Sequence, residues 1–532
     1  MRDLYLPGRS TVHASNGMAA TSHPLATSTA LDILRRGGNA MDAAVAAVAV
    51  QCVVEPQSTG IGGDCFCLYS PRGKGVIAFN GSGTAPAAAT ADWYIENGIQ
   101  KIEQQSPHAV TIPGAIDAWS RLLADHGTMS LGDLLQPAIG YATDGAPVNH
   151  RQSHDWDLSV DLLSNDPTSA SQFLVDGKAP PMGTKIKLPL LAKTLQHLAD
   201  RGREGFYTGW VAEDIVSYLN SLGGLHTLQD FEDYTGKYVT PISTHYRGYD
   251  VYECPPNGQG IVALAALNIL SGFNMRDHDA VSADRLHLEI EAIRLAYRDR
   301  NTALGDPEFG DVPVNEWLSE EHAAAERASI SPDRRIQDIP PSRLPAHKDT
   351  VYLTVVDKDR NAVSFINTLF YMFGSGLTAP QTGVLLQNRG MGFVIDPNHF
   401  NCIAPNKRPL HTIIPGMLVK DGKAQMSFGV MGGAYQACGH VHLLTNLIDY
   451  DMDLQEAIDC TRVFPDVDDP AGRVQVETGL PEEVLHGLHD KGHVTYIPDR
   501  PIGGAQAIWI DWEHEVLRGA SEPRKDGMAA GF

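Results

Sequence analysis

The chain has 532 residues, 43% of them hydrophobic, and sets 41 Lys and Arg against 64 Asp and Glu for a net charge of −23. That length and apolar content allow a large buried core, while the strong negative balance excludes the basic face that nucleic acid or an anionic membrane surface requires. Seven scattered cysteines, an odd number, form no disulfide framework and suit a reducing compartment.

Taken in chain order, Met1 to Gly17 lacks an apolar core of signal-peptide length, so the expectation is a cytoplasmic protein. Residues 24–54 predict two helices, broken at Gly37-Gly38-Asn39; the second holds the longest apolar run, Ala43 to Val54, too short for a bilayer and read as a buried helix. The turn Ser58-Thr59-Gly60-Ile61-Gly62-Gly63-Asp64 leads into a strand from Cys65 to Tyr69. It lacks the order of a phosphate-binding loop and reads as a tight turn that packs backbone against backbone. From residue 110 to about 340 the pattern is mainly helical, clearest at 190–198, 210–222, 261–270 and 283–297, with strands around Arg247-Gly248-Tyr249.

The loosest stretch, 330–348, carries Pro332, Pro340, Pro341 and Pro345 and ends at Asp349-Thr350. There the texture changes to β: two strands flank the turn Asp357-Lys358-Asp359-Arg360-Asn361, and further short strands are expected to end near Gly376, Leu386, Val419 and Val430. Helices are expected from His440 to Asp449 and from Leu454. Helices followed by strands with helices imply stacked layers around sheets, an α/β (α+β) class.

Metal-like spacings are limited to Cys65-x-Cys67 and His440-x-His442; core cysteines and a helix-capping histidine account for them, so no metal is expected. No G-x-S-x-G elbow is present. Thr350 is different, because a cut before it would place a hydroxyl nucleophile and a free α-amine on one residue.

The ordered segments Asn39-Ala40-Met41-Asp42-Ala43-Ala44, Glu55-Pro56 with Ser58 to Asp64, Pro113-Gly114-Ala115, Tyr246-Arg247-Gly248-Tyr249, Phe373-Gly374-Ser375-Gly376, Pro405 to Pro409, Gly432-Gly433 and Gly519 to Arg524 resemble the γ-glutamyltranspeptidase family of N-terminal-nucleophile (Ntn) hydrolases almost end to end. The resemblance implies a four-layer αββα sandwich formed by two chains, 1–349 and 350–532, cut from one precursor at Asp349-Thr350. It implies Thr350 as nucleophile, Thr368 as its orienting hydroxyl, and the Gly432 and Gly433 amides as the oxyanion site. Asn388 and Thr412 lie on matching segments. No cofactor is implied; the partners are a small amide substrate and the two cleaved chains themselves, in an arrangement compatible with a dimer of heterodimers.

The chain departs from the family pattern where a γ-glutamyl group would be read. Phe370, Arg389 and Gly392 replace an Asn, an acidic or amide residue and an Asp, no Arg stands before Ala85-Pro86, and His411-Thr412 replaces a serine pair. A site built to hold ammonium does not keep that preference with an arginine in it. Arg389 or His411 is therefore expected to hold a carboxylate on an acyl group without an α-amine, with Phe370 and Met391 as an apolar wall; a glutaryl-type or oxamate-like amide would fit. The readings that follow are a glutathione hydrolase-like enzyme, an acylase or amidohydrolase on a non-γ-glutamyl amide, and an uncut scaffold, which the retained catalytic residue types disfavour. Only eleven residues separate Phe393 from Pro405. This short connection implies a site without a lid, and hydrolysis in excess of transfer.

Overall fold

The computed structural model describes residues 8–337, 339–340, 350–467 and 469–532. Asp349, the residue ahead of the expected cut, lies outside the described residues. The alternating run after Thr350 forms the strand Val351–Asp357, and the 357–361 turn returns it antiparallel as Ala362–Thr368. Both strands are buried on both faces, which explains why Tyr, Leu, Phe, Ile and Val crowd them.

They lie near the middle of a seven-stranded sheet ordered Met528–Gly531, Gly17–Thr21, Val351–Asp357, Ala362–Thr368, Asp64–Ser70, Ile77–Gly81, Lys237–Val239. A second seven-stranded sheet runs Val12–Ala14, Val516–Ser521, Gly504–Asp511, Lys423–Met431, Gly416–Lys420, Tyr249–Glu253, Ile242–Tyr246. Each sheet takes strands from both sides of residue 350. The inner faces meet through Phe66, Tyr352, Ile366, Met417 and Ile508, all buried. Truncating such a side chain to alanine typically costs about 2–5 kcal/mol.

Helices close both outer faces. Pro24–Arg35 and Ala40–Val54 cover the first sheet, and Gly260–Ser271 with Tyr435–Ile448 covers the second. The result is the expected αββα sandwich. All of Ala40–Val54 is buried, and its alanines let it lie close to its neighbours. Asn39 caps it, and Asp42 returns to the Asn39 amide at 2.8 Å while also accepting from Thr128 and Met129. The Asn39–Asp42 motif is thus a helix start. In the turn before Asp64, a Cβ on Gly63 would fall 2.1 Å from the Thr368 carbonyl oxygen, so glycine there permits a backbone contact with the end of the central strand.

The helices Pro189–Arg201, Gly260–Ser271 and Ala283–Ala303 extend the expected segments by one to six residues, and Trp210–Ser221 ends one residue before the expected 222. Two expectations are corrected. No strand ends near Gly376 or Leu386; only single bridges, Gly62 to Leu386 and Thr378 to Leu385, occur there. Left-handed backbone at Phe370, Phe373, Gly374, Gly376 and Gly383 interrupts any extended run. The helix expected from His440 begins at Tyr435, because the Gly432-Gly433 turn delivers the chain into it earlier. His440 is accordingly no cap: it lies inside the helix, donates through Nδ1 to Glu253 at 2.6 Å and accepts the Val430 amide at 3.2 Å.

Candidate active site

Thr350 stands one step beyond the Val351–Asn367 register pair, which sets it against Thr368 at the end of the adjacent strand. The two hydroxyls are 3.4 Å apart, and the Gln436 side-chain amide donates to Thr350 Oγ1 at 3.5 Å. Thr368 Oγ1 accepts the Phe370 amide at 3.0 Å. Gln436 is itself fixed, since its Oε1 accepts the Ile414 amide at 3.1 Å. It lies in the first turn of Tyr435–Ile448, so the positive end of that helix faces Thr350.

The Gly432-Gly433 turn precedes this helix with φ of 123° and 65°, a backbone that side chains disfavour. A buried network frames it. Arg300 donates to Gln259 Oε1 at 3.0 Å, and Gln259 Nε2 donates to the carbonyls of Gly433 at 3.0 Å and Thr412 at 2.9 Å. The Tyr297 hydroxyl donates to the Ala434 carbonyl. Such a network fixes the direction of the glycine peptides, the property an oxyanion site needs.

Beside the threonines lies Arg389, which is 0% exposed. Nη1 donates to Thr412 Oγ1 at 3.3 Å and the guanidinium carbon sits 3.8 Å from the centroid of the Phe370 ring, whereas Nε and Nη2 are buried with no partner. Burial lowers Arg389 to about 9, and the attraction of Asp64 only partly offsets it. Buried N–H groups without acceptors are costly, and a planar fork with two open donors suits a carboxylate. Phe370 holds a left-handed φ of 86° while its ring carries the arginine and its amide holds Thr368. Backbone strain of this kind gathers at functional sites.

Asp64 is the buried carboxylate here. Oδ1 accepts from the Gly83 amide at 2.8 Å and Gln387 Nε2 at 2.9 Å, and Oδ2 from His411 at 3.0 Å. Burial raises it to about 6, against the attraction of Arg389 and these hydrogen bonds. His411 is held neutral: burial, then the repulsion of Arg389, pushes it well below the usual range. Its Nδ1 accepts the Ile413 amide at 3.4 Å, so Nε2 carries the proton given to Asp64. The expectation that His411 could hold a substrate carboxylate is therefore corrected, since both ring nitrogens are engaged and the ring is uncharged.

Asn388 braces the loop, accepting the Tyr371 amide at 3.0 Å and donating to Met391 Sδ at 3.5 Å. Thr412 holds Arg389. At Gly392 a Cβ would meet nothing nearer than the Leu410 carbonyl oxygen at 3.6 Å. Space therefore does not require glycine there, and the missing carboxylate leaves room. Gln436 and Gln259 are not singled out by the sequence. Asp64 is visible in it only as the last residue of a glycine turn, and the pairing of Asp64 with Thr368 across strands makes it a site residue. Of the metal-like spacings, Cys65 and Cys67 lie in the packing between sheet and helices, and His440 and His442 bind different glutamates.

The sequence profile described as γ-glutamyltranspeptidase matches residues 26–532. The chain belongs to the γ-glutamyltranspeptidase family. Within it, the glutathione hydrolase-like YwrD proenzyme of Bacillus subtilis is 37% identical, covering 97% of this chain and 98% of the relative. The oxamate amidohydrolase proenzyme of Klebsiella pneumoniae is 34% identical over 98% of this chain and 100% of its own. Among solved structures, the cephalosporin acylase of Bacillus halodurans superposes with a TM-score of 0.92 at 38% identity, covering 100% of this chain and 98% of that one. This γ-glutamyltranspeptidase-family protein is thus an Ntn hydrolase, similar to relatives named for several different amides.

Proposed function

We propose that the chain is cut between Asp349 and Thr350 and then hydrolyses amides whose acyl group carries a carboxylate and no α-amine. The freed α-amine of Thr350, with a reference pKa of about 7.7–8.0, takes the hydroxyl proton. Thr368 and Gln436 orient the hydroxyl, which attacks the amide carbonyl. The amides of Gly432 and Gly433 receive the oxyanion, each such donor contributing about 3–4 kcal/mol to the transition state. The amine leaves with a proton, and water then cleaves the acyl ester.

The observation that carries the substrate class is the buried Arg389 guanidinium with open Nε and Nη2. An α-ammonium would meet repulsion from it, and the three hydrogen bonds already on Asp64 leave that carboxylate poorly placed to compensate. Relatives named an oxamate amidohydrolase and a cephalosporin acylase agree with a non-γ-glutamyl acyl group. The short 394–404 connection supports hydrolysis over transfer to an amino acid. The test is kcat/KM for glutaryl-p-nitroanilide against γ-glutamyl-p-nitroanilide; faster turnover of the γ-glutamyl compound would sink the assignment.

A further inference from the structure

Outside the threonine site, two helices meet over a cluster of metal-ligand side chains. His322 and Glu326 stand four residues apart on Glu320–Ser329, so one face of that helix carries both, and Asp299 comes to them from Ala283–Ala303. One ligand atom from each of the three lies within 4.8 Å of the other two. Donors around a single zinc ion stand about 3–3.5 Å apart, so small side-chain rotations close the trio. His322 Nε2 already donates to Asp299 Oδ2 at 2.8 Å.

Arg298 decides which carboxylate oxygens are left over. Its Nη2 is 2.7 Å from both Asp299 Oδ1 and Glu326 Oε1, and its Nε donates to Asp299 Oδ1 at 2.9 Å. Asp299 Oδ2 faces His322, and Glu326 Oε2 is buried with no hydrogen-bond partner. A buried oxygen left unsatisfied is costly, and an ionised carboxylate can only accept. A cation beside the imidazole would satisfy it. Two carboxylates against one guanidinium leave a net negative charge, and the side chains of Asp299, His322 and Glu326 are 12%, 17% and 14% exposed, so an ion can enter from solvent with its waters.

The frame around the trio is fixed in advance. Ser319 caps the shorter helix by accepting the His322 amide at 3.1 Å, Ala323 is buried beneath it, and Arg327 donates to the carbonyls of Ile269 and Asn268 at 2.9 Å each. Ligands on such a helix lose little freedom when an ion binds. Arg298 supplies the outer hydrogen bonds that ligating carboxylates keep. A second trio, His287, Glu291 and His493, is equally close-set, but its rings hydrogen-bond each other at 2.8 Å, and Arg294 and the Ile336 amide occupy the Glu291 oxygens at 2.7 and 2.6 Å. Only the first trio holds an open oxygen.

We propose that Asp299, His322 and Glu326 bind a divalent transition-metal ion, with zinc matched to the mixed imidazole and carboxylate donors, as a clamp between Glu320–Ser329 and Ala283–Ala303. The ion takes His322 Nε2, whose proton moves to Nδ1 through solvent, and water completes the shell. Arg300, the residue after Asp299, holds Gln259 behind Gly433, so the clamp steadies the helix that frames the Gly432-Gly433 turn.

The test is calorimetric titration of the full-length protein with zinc after dialysis against a chelator. One ion per chain is expected to bind more tightly than about 100 µM. Glu326→Gln and His322→Gln are each expected to weaken binding by about tenfold or more. Labelling of wild type with diethyl pyrocarbonate, read by peptide mass spectrometry, gives a local readout. At zinc tenfold above the dissociation constant, His322 is expected to label about tenfold more slowly, while His13, exposed on Val12–Ala14, is unchanged. Binding weaker than about 100 µM, unchanged affinity in the folded variants, or equal protection of His322 and His13 would each overturn the proposal. The wild-type labelling decides if the variants do not fold.

Discussion

Replacing Arg389 with methionine separates recognition of the acyl group from the chemistry at Thr350. The guanidinium is fully buried, with Nε and Nη2 open and Nη1 on Thr412. A substrate carboxylate would gain two charge-assisted hydrogen bonds where no water competes. Removing one partner of such a buried pair costs about 2–5 kcal/mol, or about 30- to 5,000-fold in kcat/KM. Methionine keeps most of the apolar volume over Phe370, so the fold and the cut before Thr350 are expected to survive, which a denaturing gel checks. Arg389→Lys keeps the charge without the planar fork and is expected to fall between wild type and Arg389→Met. The assay is kcat/KM on glutaryl-p-nitroanilide with butyryl-p-nitroanilide as the uncharged control. A loss under about fivefold, or an equal loss on both substrates, would refute the reasoning.

The purified protein is expected to run as bands of roughly 38 and 20 kDa, by proportion of its 57.6 kDa mass to chain length, and Thr350→Ala as one uncut band. Thr368→Val removes the hydroxyl that faces Thr350 and is expected to slow both cutting and turnover by about 10- to 100-fold, read on gels and by initial rates. Gly432→Ala places a Cβ 2.8 Å from Gly503 Cα at a φ of 123° and is expected to lower kcat by about 100-fold or more, measured at saturating substrate. Asp64, raised to about 6, loses its proton as pH climbs through that value and then competes with the substrate for Arg389. KM for the glutaryl substrate is therefore expected to rise between pH 5 and 7, while KM for the butyryl substrate stays flat. The same raised carboxyl holds its proton longer in the folded state than in the unfolded one, so its contribution to stability falls from about pH 4 to about pH 6, as thermal melts would show.

Much of the sandwich is legible in the sequence, because the 3.6- and 2-residue periods around Ala26 to Leu34 and Val351 to Val356 are imposed by burial that local pattern records. The stretch from Phe370 to Leu386 is not, since its course is set by left-handed residues and by single bridges to distant chain. Thr350, Thr368 and the glycine pair stand out through motif order. Gln259 and Gln436 do not, because a glutamine becomes a site residue only when tertiary contacts bring it to a carbonyl or hydroxyl. His411 shows the same limit from the other side. Its neutral state is set by burial and by Arg389, its Nε2 proton is held by Asp64, 347 positions away, and no spacing rule reaches that far.

The interleaving of strands fixes how the two halves can exist. Val351–Asp357 zips between Gly17–Thr21 and Ala362–Thr368, and the final strand Met528–Gly531 seals the far side of Gly17–Thr21. A break ahead of Thr350 would therefore yield two pieces with no separate life: residues 1–349 lack the central strands of both sheets, residues 350–532 lack strands on either side of their own in both, and neither can bury its own apolar faces. Such a cut would set their one-to-one ratio at birth, from the single chain that folded, and two halves made apart would face aggregation before they found each other. Any cut before Thr350 would have to follow folding.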